Sequence, residues 1–251
     1  MTGRSSAPPP KRGKTFEDLI NEMRSAEIGE GPIQTHGWEQ WAQLHLVSAD
    51  TLARLSAEVE AKPGPPDEEA WIRHRAFVTG SIILSVVFME SAINELFAEA
   101  YANPFGTVQA LGQRVISGLG QRTFTKRVAF LSKYQSALRI ARKPGFKQDA
   151  QPYKDADALR RLRNELEHYT PEWKSSTIEE DRPKEPPHWL AEKCSPNSMF
   201  PPNASETLHK YLGQACAKWA VQSSRRFVDE FYLRLGVTAP YENFRPRLEV
   251  G

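Results

Sequence analysis

The chain contains very little cysteine, and its two cysteines do not form a recognisable pattern. Cys194 and Cys216 lie 22 positions apart, with no CxxC pair and no histidine at metal-ligand spacing. A disulfide scaffold and a structural zinc site are therefore not expected. This cysteine usage favours a reducing compartment, and we predict a cytoplasmic protein.

Long apolar runs and an excess of one charge are also missing. The most apolar run, residues 77–89, covers 13 positions and includes Gly80, Ser81 and Ser85. A membrane span needs about 20 residues, so we expect a buried core helix and no membrane contact. No apolar stretch follows the basic residues near the start, so no signal peptide is expected. The net charge of +2 does not by itself indicate a nucleic-acid-binding protein.

No segment alternates apolar and polar residues as a strand does, and no repeat has a fixed period. Apolar residues instead recur at steps of three and four, which predicts an all-α fold, an antiparallel helical bundle. The first strongly periodic helix has its apolar face at Trp38, Trp41, Leu44, Leu52, Leu55 and Val59. The main helices are predicted near residues 38–61, 68–101, 107–117, 123–141, 154–169 and 205–235.

Composition divides the chain into three parts. Residues 1–14 are rich in proline, serine and basic residues, so we expect a disordered basic tail. Residues 15–66 should form N-terminal helices that pack on the bundle. Residues 67–251 should form the main helical domain, with a long irregular insert at 170–203 that contains seven prolines. An irregular segment of this length is usually functional or disordered. Trp173 and Trp189 should anchor it by burial, and the alternative is that they stack on bases.

One helix near the end of the chain concentrates chemically useful side chains. In the segment DADALRRLRNELEHY at 155–169, the residues Leu159, Leu162, Leu166 and Tyr169 share one face. At about 100° per residue, Asn164 and His168 lie nearly opposite that face and one turn apart. Arg163 lies on the flank between the two faces.

These residue types suit the cleavage of a phosphodiester bond. Arginine offers a planar set of donors to phosphate oxygens, and histidine can take or give a proton near neutral pH. Attack by an RNA 2′-hydroxyl needs a base, an acid and charge stabilisation, but no metal. Arg160 and Arg161 would attract the RNA backbone. The alternative is that an Arg and a His near a helix C-terminus only interact with its dipole.

The hexapeptide Arg163-Asn164-Glu165-Leu166-Glu167-His168 resembles the Arg-x4–6-His signature of the HEPN superfamily. In many members an asparagine follows the arginine, as it does here. The apolar helix that ends in MESAINEL at 89–96 also resembles the earlier core helix of the family. The resemblance covers about residues 70–235 and is specific only in the hexapeptide.

The resemblance implies an all-α protein that forms a homodimer, so that two motifs meet in one cleft. It also implies a metal-independent ribonuclease without a cofactor, acting as a toxin or as an effector in defence against phage and stress. An antitoxin or regulatory protein is then an expected partner. Arg163 would bind the phosphate, Asn164 would support it, and His168 would be the acid and base. The earlier helix would contribute supporting residues from Glu90, Asn94 and Glu95.

Two alternatives stay open at this point. A catalytically silent HEPN domain could bind nucleotide, RNA or a protein partner as a scaffold, and a plain helical interaction protein would use the motif only as a helix end. In some HEPN toxins a tyrosine two residues after the histidine is modified. Here Tyr169 follows His168 directly and falls on the leucine face, so this regulation is not expected. The scattered histidines, including His74, are predicted to be core or surface residues.

Overall fold

The computed structural model describes residues 41–102, 106–121, 128–168, 188–201 and 208–248. These ranges are helical and contain no strand, which confirms the all-α class for this part of the chain. The predicted tail at 1–14 and the helix predicted to open at Thr15 lie outside the described residues. The helices are α1 (Trp41–Glu60), α2 (Glu68–Ala102), α3 (Gln113–Gly120), α4 (Phe130–Ile140), α5 (Tyr153–Glu167), α6 (His188–Ala191), α7 (Leu208–Tyr211) and α8 (Gln214–Leu235), with 3-10 turns at Thr107–Ala110 and Glu242–Arg247.

Helix α2 is the central element of the bundle. It contacts α1, α8, α5, α4 and α3, and its fully buried side chains include Ile82, Phe88, Met89 and Ile93. By length and composition alone α2 could also cross a membrane, but half of its most apolar window is buried within the chain. The prediction of a buried core helix is therefore confirmed for α2.

Helix α1 packs through a different face from the one predicted. Trp41 is 53% exposed and Leu44 is 49% exposed, so the prediction was wrong for both. The reason is a close approach between α1 and α2: Ser81 Oγ on α2 donates a hydrogen bond of 2.8 Å to the backbone oxygen of Ala49 on α1. A Cβ atom at Gly80 would lie only 2.8 Å from Leu52 Cδ1. Small residues therefore dominate the buried face, which contains Ala42, Leu46, Ala49, Asp50, Ala53, Ser56 and Val59.

An aromatic cluster joins α4 and α8 to α2. Tyr134 on α4 is fully buried, and its ring makes edge contacts with Phe227 and Phe231 of α8 at 4.7 Å between centroids in each pair. Its hydroxyl donates a hydrogen bond of 2.7 Å to the backbone oxygen of Met89. Each aromatic pair adds roughly 0.5–1.5 kcal/mol beyond the burial of apolar area.

Two predicted helices are interrupted in the structure. The segment predicted as 107–117 is a 3-10 turn followed by α3, because Leu111 and Gly112 between them have extended backbones. The segment predicted as 205–235 contains α7 and then α8, separated by Leu212 and by Gly213, whose backbone is also extended. The observed bounds of the other helices differ from the predicted ones by a few residues. For the helix predicted at 123–141 the start cannot be compared, because residues 123–127 lie outside the described ranges.

Candidate functional site

Helix α5 presents the predicted leucine face to the bundle. Leu159 and Leu162 are fully buried, and Leu166 is partly buried against the same core. The helix contacts α8 and α2 through this face. Tyr169, predicted to continue the face, lies outside the described residues. The polar side of α5 is consequently directed away from the core.

The three motif residues lie together at the C-terminal end of α5. The helix ends at Glu167, and His168 is the capping residue, whose backbone N–H donates a hydrogen bond of 2.9 Å to the backbone oxygen of Asn164. The side chain of His168 is exposed and that of Asn164 is half-buried. The helical turn between them therefore offers an accessible imidazole beside an amide.

Arg163 is more enclosed than its neighbours in the motif. Its side chain is 22% exposed, and Nη1 donates a hydrogen bond of 2.8 Å to Glu167 Oε2. Its Nε is buried and has no acceptor among the residues that the structure describes. Sequence reasoning missed Glu167 as a partner, although its position four residues after Arg163 is a known signal for a helical ion pair.

The two arginines predicted to attract RNA share one acidic partner. Arg160 Nε and Arg161 Nε each donate a hydrogen bond of 2.9 Å to Asp157. Partial burial opposes the charge of Asp157, but the hydrogen bonds from both arginines dominate and lower its pKa. Asp157 therefore stays ionised and partly neutralises both arginines.

The supporting residues predicted on α2 have partners of their own. Asn94 Oδ1 accepts a hydrogen bond of 2.8 Å from Lys133 Nζ, and Glu95 Oε1 accepts one of 2.8 Å from the backbone N–H of Ala42. Glu90 is half-buried. No hydrogen bond or ion pair among the described residues joins these three side chains to Arg163 or His168. Their supporting role stays a prediction.

The environment of Glu95 makes it an unusual carboxyl group. Burial raises its pKa to about 7, and the charge of Glu99 one turn away acts in the same direction. The backbone N–H groups of Ala42 and Trp41 oppose this rise but do not cancel it. A carboxyl group with a pKa near neutrality can exchange a proton under physiological conditions.

Sequence reasoning missed a second polar cluster, centred on Glu60. Glu60 Oε1 lies 2.7 Å from Nε2 of the fully buried His74 and also accepts from the backbone N–H of Gln214; Ser198 Oγ donates to Oε2 at 2.9 Å. Burial raises the pKa of Glu60, but the hydrogen bonds from His74, Gln214 and Ser198 outweigh it and lower the pKa overall. No local pattern could reveal this cluster, because its members come from four separate segments. His74 is therefore a core histidine, one of the two positions predicted for it.

An open cleft with a volume of about 460 Å³ lies on the first turns of α2, away from the motif in sequence. Trp71 forms one wall, and its ring meets Phe200 edge-on at 5.0 Å. Ile72 is 61% exposed, and the guanidinium of Arg75 lies 5.8 Å from the Trp71 ring centroid. Glu68 and Arg75 complete the lining of this cleft.

Comparison with known proteins adds no relative. A scan against models of protein families found no match, and searches of curated proteins and of solved structures likewise found none. Within the part of the chain that the structure describes, no group of three or more His, Cys, Asp or Glu side chains could hold a metal ion. The resemblance of the hexapeptide to the HEPN signature therefore stays a prediction from the sequence.

Proposed function

We propose that this chain is an endoribonuclease of HEPN type that cleaves RNA without a metal or a cofactor. It would act in the cytoplasm as a homodimer, as a toxin or as an effector of defence or stress. One observation carries the proposal: the buried Nε of Arg163 lacks an acceptor within the described chain, and the exposed His168 caps the same helix five residues later. A buried donor without a partner costs about 1–3 kcal/mol, and a phosphate oxygen would remove that cost.

In the proposed reaction His168 removes the proton from an RNA 2′-hydroxyl. The 2′-oxygen attacks the adjacent phosphorus, and the bond to the 5′-oxygen of the next nucleotide breaks. A proton donated by an imidazolium goes to that leaving oxygen, so the products are a 2′,3′-cyclic phosphate and a 5′-hydroxyl. In a dimer the His168 side chains of the two subunits can share the roles of base and acid.

Arg163 and Asn164 would hold the phosphate during this reaction. A guanidinium has five N–H donors, so Arg163 can keep Nη1 on Glu167 and direct Nε and Nη2 to two phosphate oxygens. The donors stabilise the charge that develops on the phosphate in the transition state. Asn164 would donate its amide hydrogens to the same group, and Arg160 and Arg161 would contact neighbouring phosphates.

A second function is supported by the ion pairs of α5. Arg163 is paired with Glu167, and Arg160 and Arg161 are paired with Asp157, so each basic residue predicted to contact RNA already has an acidic partner. This arrangement suits a catalytically inactive HEPN domain that acts as a scaffold for a protein, a nucleotide or RNA. The two functions differ in whether His168 is needed for RNA turnover.

The decisive experiment compares RNA cleavage by the wild-type chain with cleavage by His168→Ala and Arg163→Ala. Each substitution should reduce the rate by at least about 100-fold, because each removes an acid–base or charge-stabilising group. Thermal stability should stay unchanged for His168→Ala, whose side chain is exposed. Glu165→Gln is the matched control, since Glu165 is exposed on the same turn, and the activity should persist in EDTA.

Equal cleavage by the wild type and by His168→Ala would show a contaminating nuclease and overturn the enzymatic proposal. Failure of the wild type to cleave any RNA, with retained binding, would favour the scaffold.

The dimer is tested by mixing Arg163→Ala and His168→Ala subunits, which should restore some activity because one cleft then contains an intact residue of each kind. Expression of the wild type and of His168→Ala in cells tests toxicity, and co-expression screens for an antitoxin.

A further inference from the structure

A strongly basic segment connects α4 to α5, outside the motif at 163–168. Residues 139–147, which we call the basic segment, include four basic residues and no acidic residue. All four side chains are exposed, and none forms an ion pair with an acidic side chain among the residues that the structure describes. Asp149, two positions further along, offsets this local positive charge only in part. The four basic residues are Arg139, Arg142, Lys143 and Lys147.

Side chains of the bundle fix the backbone of the basic segment. Gln135 on α4 donates a hydrogen bond to the backbone oxygen of Phe146 and accepts one from its N–H, both at 2.9 Å. Arg234 on α8 donates a hydrogen bond of 2.7 Å to the backbone oxygen of Gly145. Phe146 is buried against Phe227, with ring centroids 4.8 Å apart. The basic segment therefore presents its charges from a fixed backbone, which lowers the conformational cost of binding.

The backbone at Arg142 adopts a conformation that favours glycine. Its φ angle of 56° lies in the left-handed region, directly after the end of α4. The N–H of Arg142 donates a hydrogen bond of 3.1 Å to Arg139, and the N–H of Lys143 donates one of 2.9 Å to Leu138, as is common where a helix ends. Glycine is the usual residue at this position. A strained residue that the surrounding structure maintains often marks a functional position, so the exposed side chain of Arg142 points to a binding role.

The exposed surface of the basic segment has the chemistry of a phosphate-binding surface. Arginine and lysine side chains donate hydrogen bonds to phosphate oxygens and release the counterions that surround a nucleic acid. Apart from the four basic residues, the exposed residues of the segment are Pro144 and Gly145. The surface of the segment therefore lacks the apolar centre of a protein–protein interface.

We propose that the basic segment binds the phosphate backbone of RNA. That the polyanion is RNA rests on the proposed function, and the segment would extend the RNA contact beyond the motif. The two regions lie at opposite ends of α5: the ring of Phe146 is 6.2 Å from that of Tyr153, the first residue of α5, whereas His168 follows its last residue. The 15 residues of α5 span about 22 Å. A long RNA can contact both ends, but a dinucleotide at the motif cannot.

The chain offers a remote basic residue as a control. Lys143 Nζ lies 3.7 Å from the position that a Cβ atom would occupy at Gly236, directly after the C-terminus of α8. The first residue of α8, Gln214, contacts Glu60 instead. The 22 residues of α8 span about 33 Å, so Lys62, two positions after Glu60 and exposed, lies near the other end of α8.

The test measures the affinity of the full chain for a single-stranded RNA of about 20 nucleotides at several salt concentrations. All proteins carry His168→Ala, so the RNA stays intact. At low salt the variant with four substitutions should bind at least about 10-fold more weakly, and the slope of log affinity against log salt concentration should fall by about 3. Lys62→Gln should leave both quantities close to those of the parent. The four substitutions are Arg139→Gln, Arg142→Gly, Lys143→Gln and Lys147→Gln.

Arg142→Gly alone separates binding from folding. It should raise the midpoint of thermal unfolding by about 2 °C, because glycine relieves the strained backbone. It should nevertheless weaken RNA binding by about 5-fold at low salt, since one phosphate contact is lost. A residue with a merely structural role would not combine these two effects. In chains that retain His168, the four substitutions should slow the cleavage of long RNA but leave that of a dinucleotide unchanged.

Unchanged affinity and salt dependence in the variant with four substitutions would overturn the proposal, as would a parent chain that binds no RNA. An equal loss in Lys62→Gln would also overturn it, because the net charge of the chain would then be responsible. Tighter binding of polyglutamate than of RNA would assign the segment to acidic proteins instead. The proposed nuclease function fails separately, if the wild type binds RNA through the basic segment but does not cleave it.

Discussion

Helix α1 is held at its two ends by two glutamates whose pKa values move in opposite directions. At the start of α1, the N–H groups of Trp41 and Ala42 donate to Glu95 of α2. At its end, Glu60 accepts from the first residue of α8, Gln214. Both carboxyl groups lie at the N-terminus of a helix, where negative charge is favoured. The pKa of Glu95 nevertheless rises to about 7, whereas that of Glu60 falls.

The difference between the two sites comes from their donors and their neighbours. Glu60 has His74 and Ser198 in addition to the backbone N–H, and these compensate for the loss of hydration. Glu95 has backbone donors alone, and the nearby charge of Glu99 adds repulsion. Burial in itself therefore does not decide the charge state of a carboxyl group; the number of donors directed at it does.

Among the variants at these two sites, Glu60→Gln should change the free energy of unfolding most. The substitution replaces the charged acceptor that serves His74, Gln214 and Ser198 by a neutral one, and it should lower the free energy of unfolding by roughly 2–4 kcal/mol at pH 7. The pKa of Glu60 is lower in the folded chain than in the unfolded chain, so its ionised form stabilises the fold. This stabilisation is complete above the ordinary glutamate pKa of about 4.3 and is lost as the pH falls through the folded pKa. Urea unfolding at pH 7 and at pH 3 measures this, with exposed Glu58→Gln as control. An equal loss at both pH values would show that shape, and not charge, is responsible.

Gly213→Ala should crowd the Glu60 cluster without changing any charge. A Cβ atom at Gly213 would lie 2.9 Å from Asn197 Cβ and 3.0 Å from Glu60 Oε1. We expect a loss of about 1–3 kcal/mol in the free energy of unfolding. Gly112→Ala is a matched control, because Gly112 also precedes a helix with an extended backbone and has nothing within 4 Å. Similar losses in the two variants would mean that the substitution acts only through the preference for glycine over alanine at the N-cap of a helix.

Glu95→Gln should raise the free energy of unfolding, and by a smaller amount. Glutamine keeps an acceptor for the backbone N–H of Ala42 but removes the charge. The variant should therefore be more stable than the wild type at pH 8. After allowance for the partial solvent exposure of Glu95, the difference should be on the order of 1–2 kcal/mol. The folded pKa of Glu95 is raised, so the stability that its neutral form contributes is complete below about pH 4.3 and is lost as the pH rises through about 7. The advantage of the variant should therefore vanish at pH 4. An advantage that is constant with pH would contradict the assignment.

Ser198→Ala should give the smallest effect. Its hydroxyl donates to Glu60 at 2.9 Å in an exposed position, so its loss should cost about 0.5 kcal/mol. In the Glu60→Gln background the same substitution should cost less, because the acceptor has lost its charge. A double-mutant cycle by urea unfolding measures the coupling between the two residues. Zero coupling would remove Ser198 from the causes of the lowered pKa.

Sequence patterns predicted the parts of the fold that depend on local periodicity. The leucine face of α5 and the buried centre of α2 follow directly from the spacing of large apolar residues. The packing face of α1 could not be predicted in this way, because Ala49 and Ser81 allow the two helices to approach closely and leave Trp41 exposed. Small residues produce a weak periodic signal even when they form the interface.

The candidate site was predictable to the same limited extent. Helical spacing places Asn164 in the last turn of α5 and His168 at its end, and their joint role in a site stays a prediction. The ion pair between Arg163 and Glu167 follows from the same rule, because the two residues are four positions apart on one helix. The cluster around Glu60 was not accessible, since His74 and Gln214 are 140 positions apart in the chain. Contacts of that kind depend on the tertiary fold alone.

The equal numbers of acidic and basic side chains on α5 have a consequence for association rates. Residues Tyr153–Glu167 carry four basic and four acidic residues, so the electric field of this helix decays over a short distance. A polyanion approaching it would experience little long-range attraction, and the encounter would proceed at about 10⁵–10⁶ M⁻¹s⁻¹, as for neutral surfaces. The encounter rate at this face should then change little with ionic strength, and selectivity would arise after contact, through the lifetime of the complex.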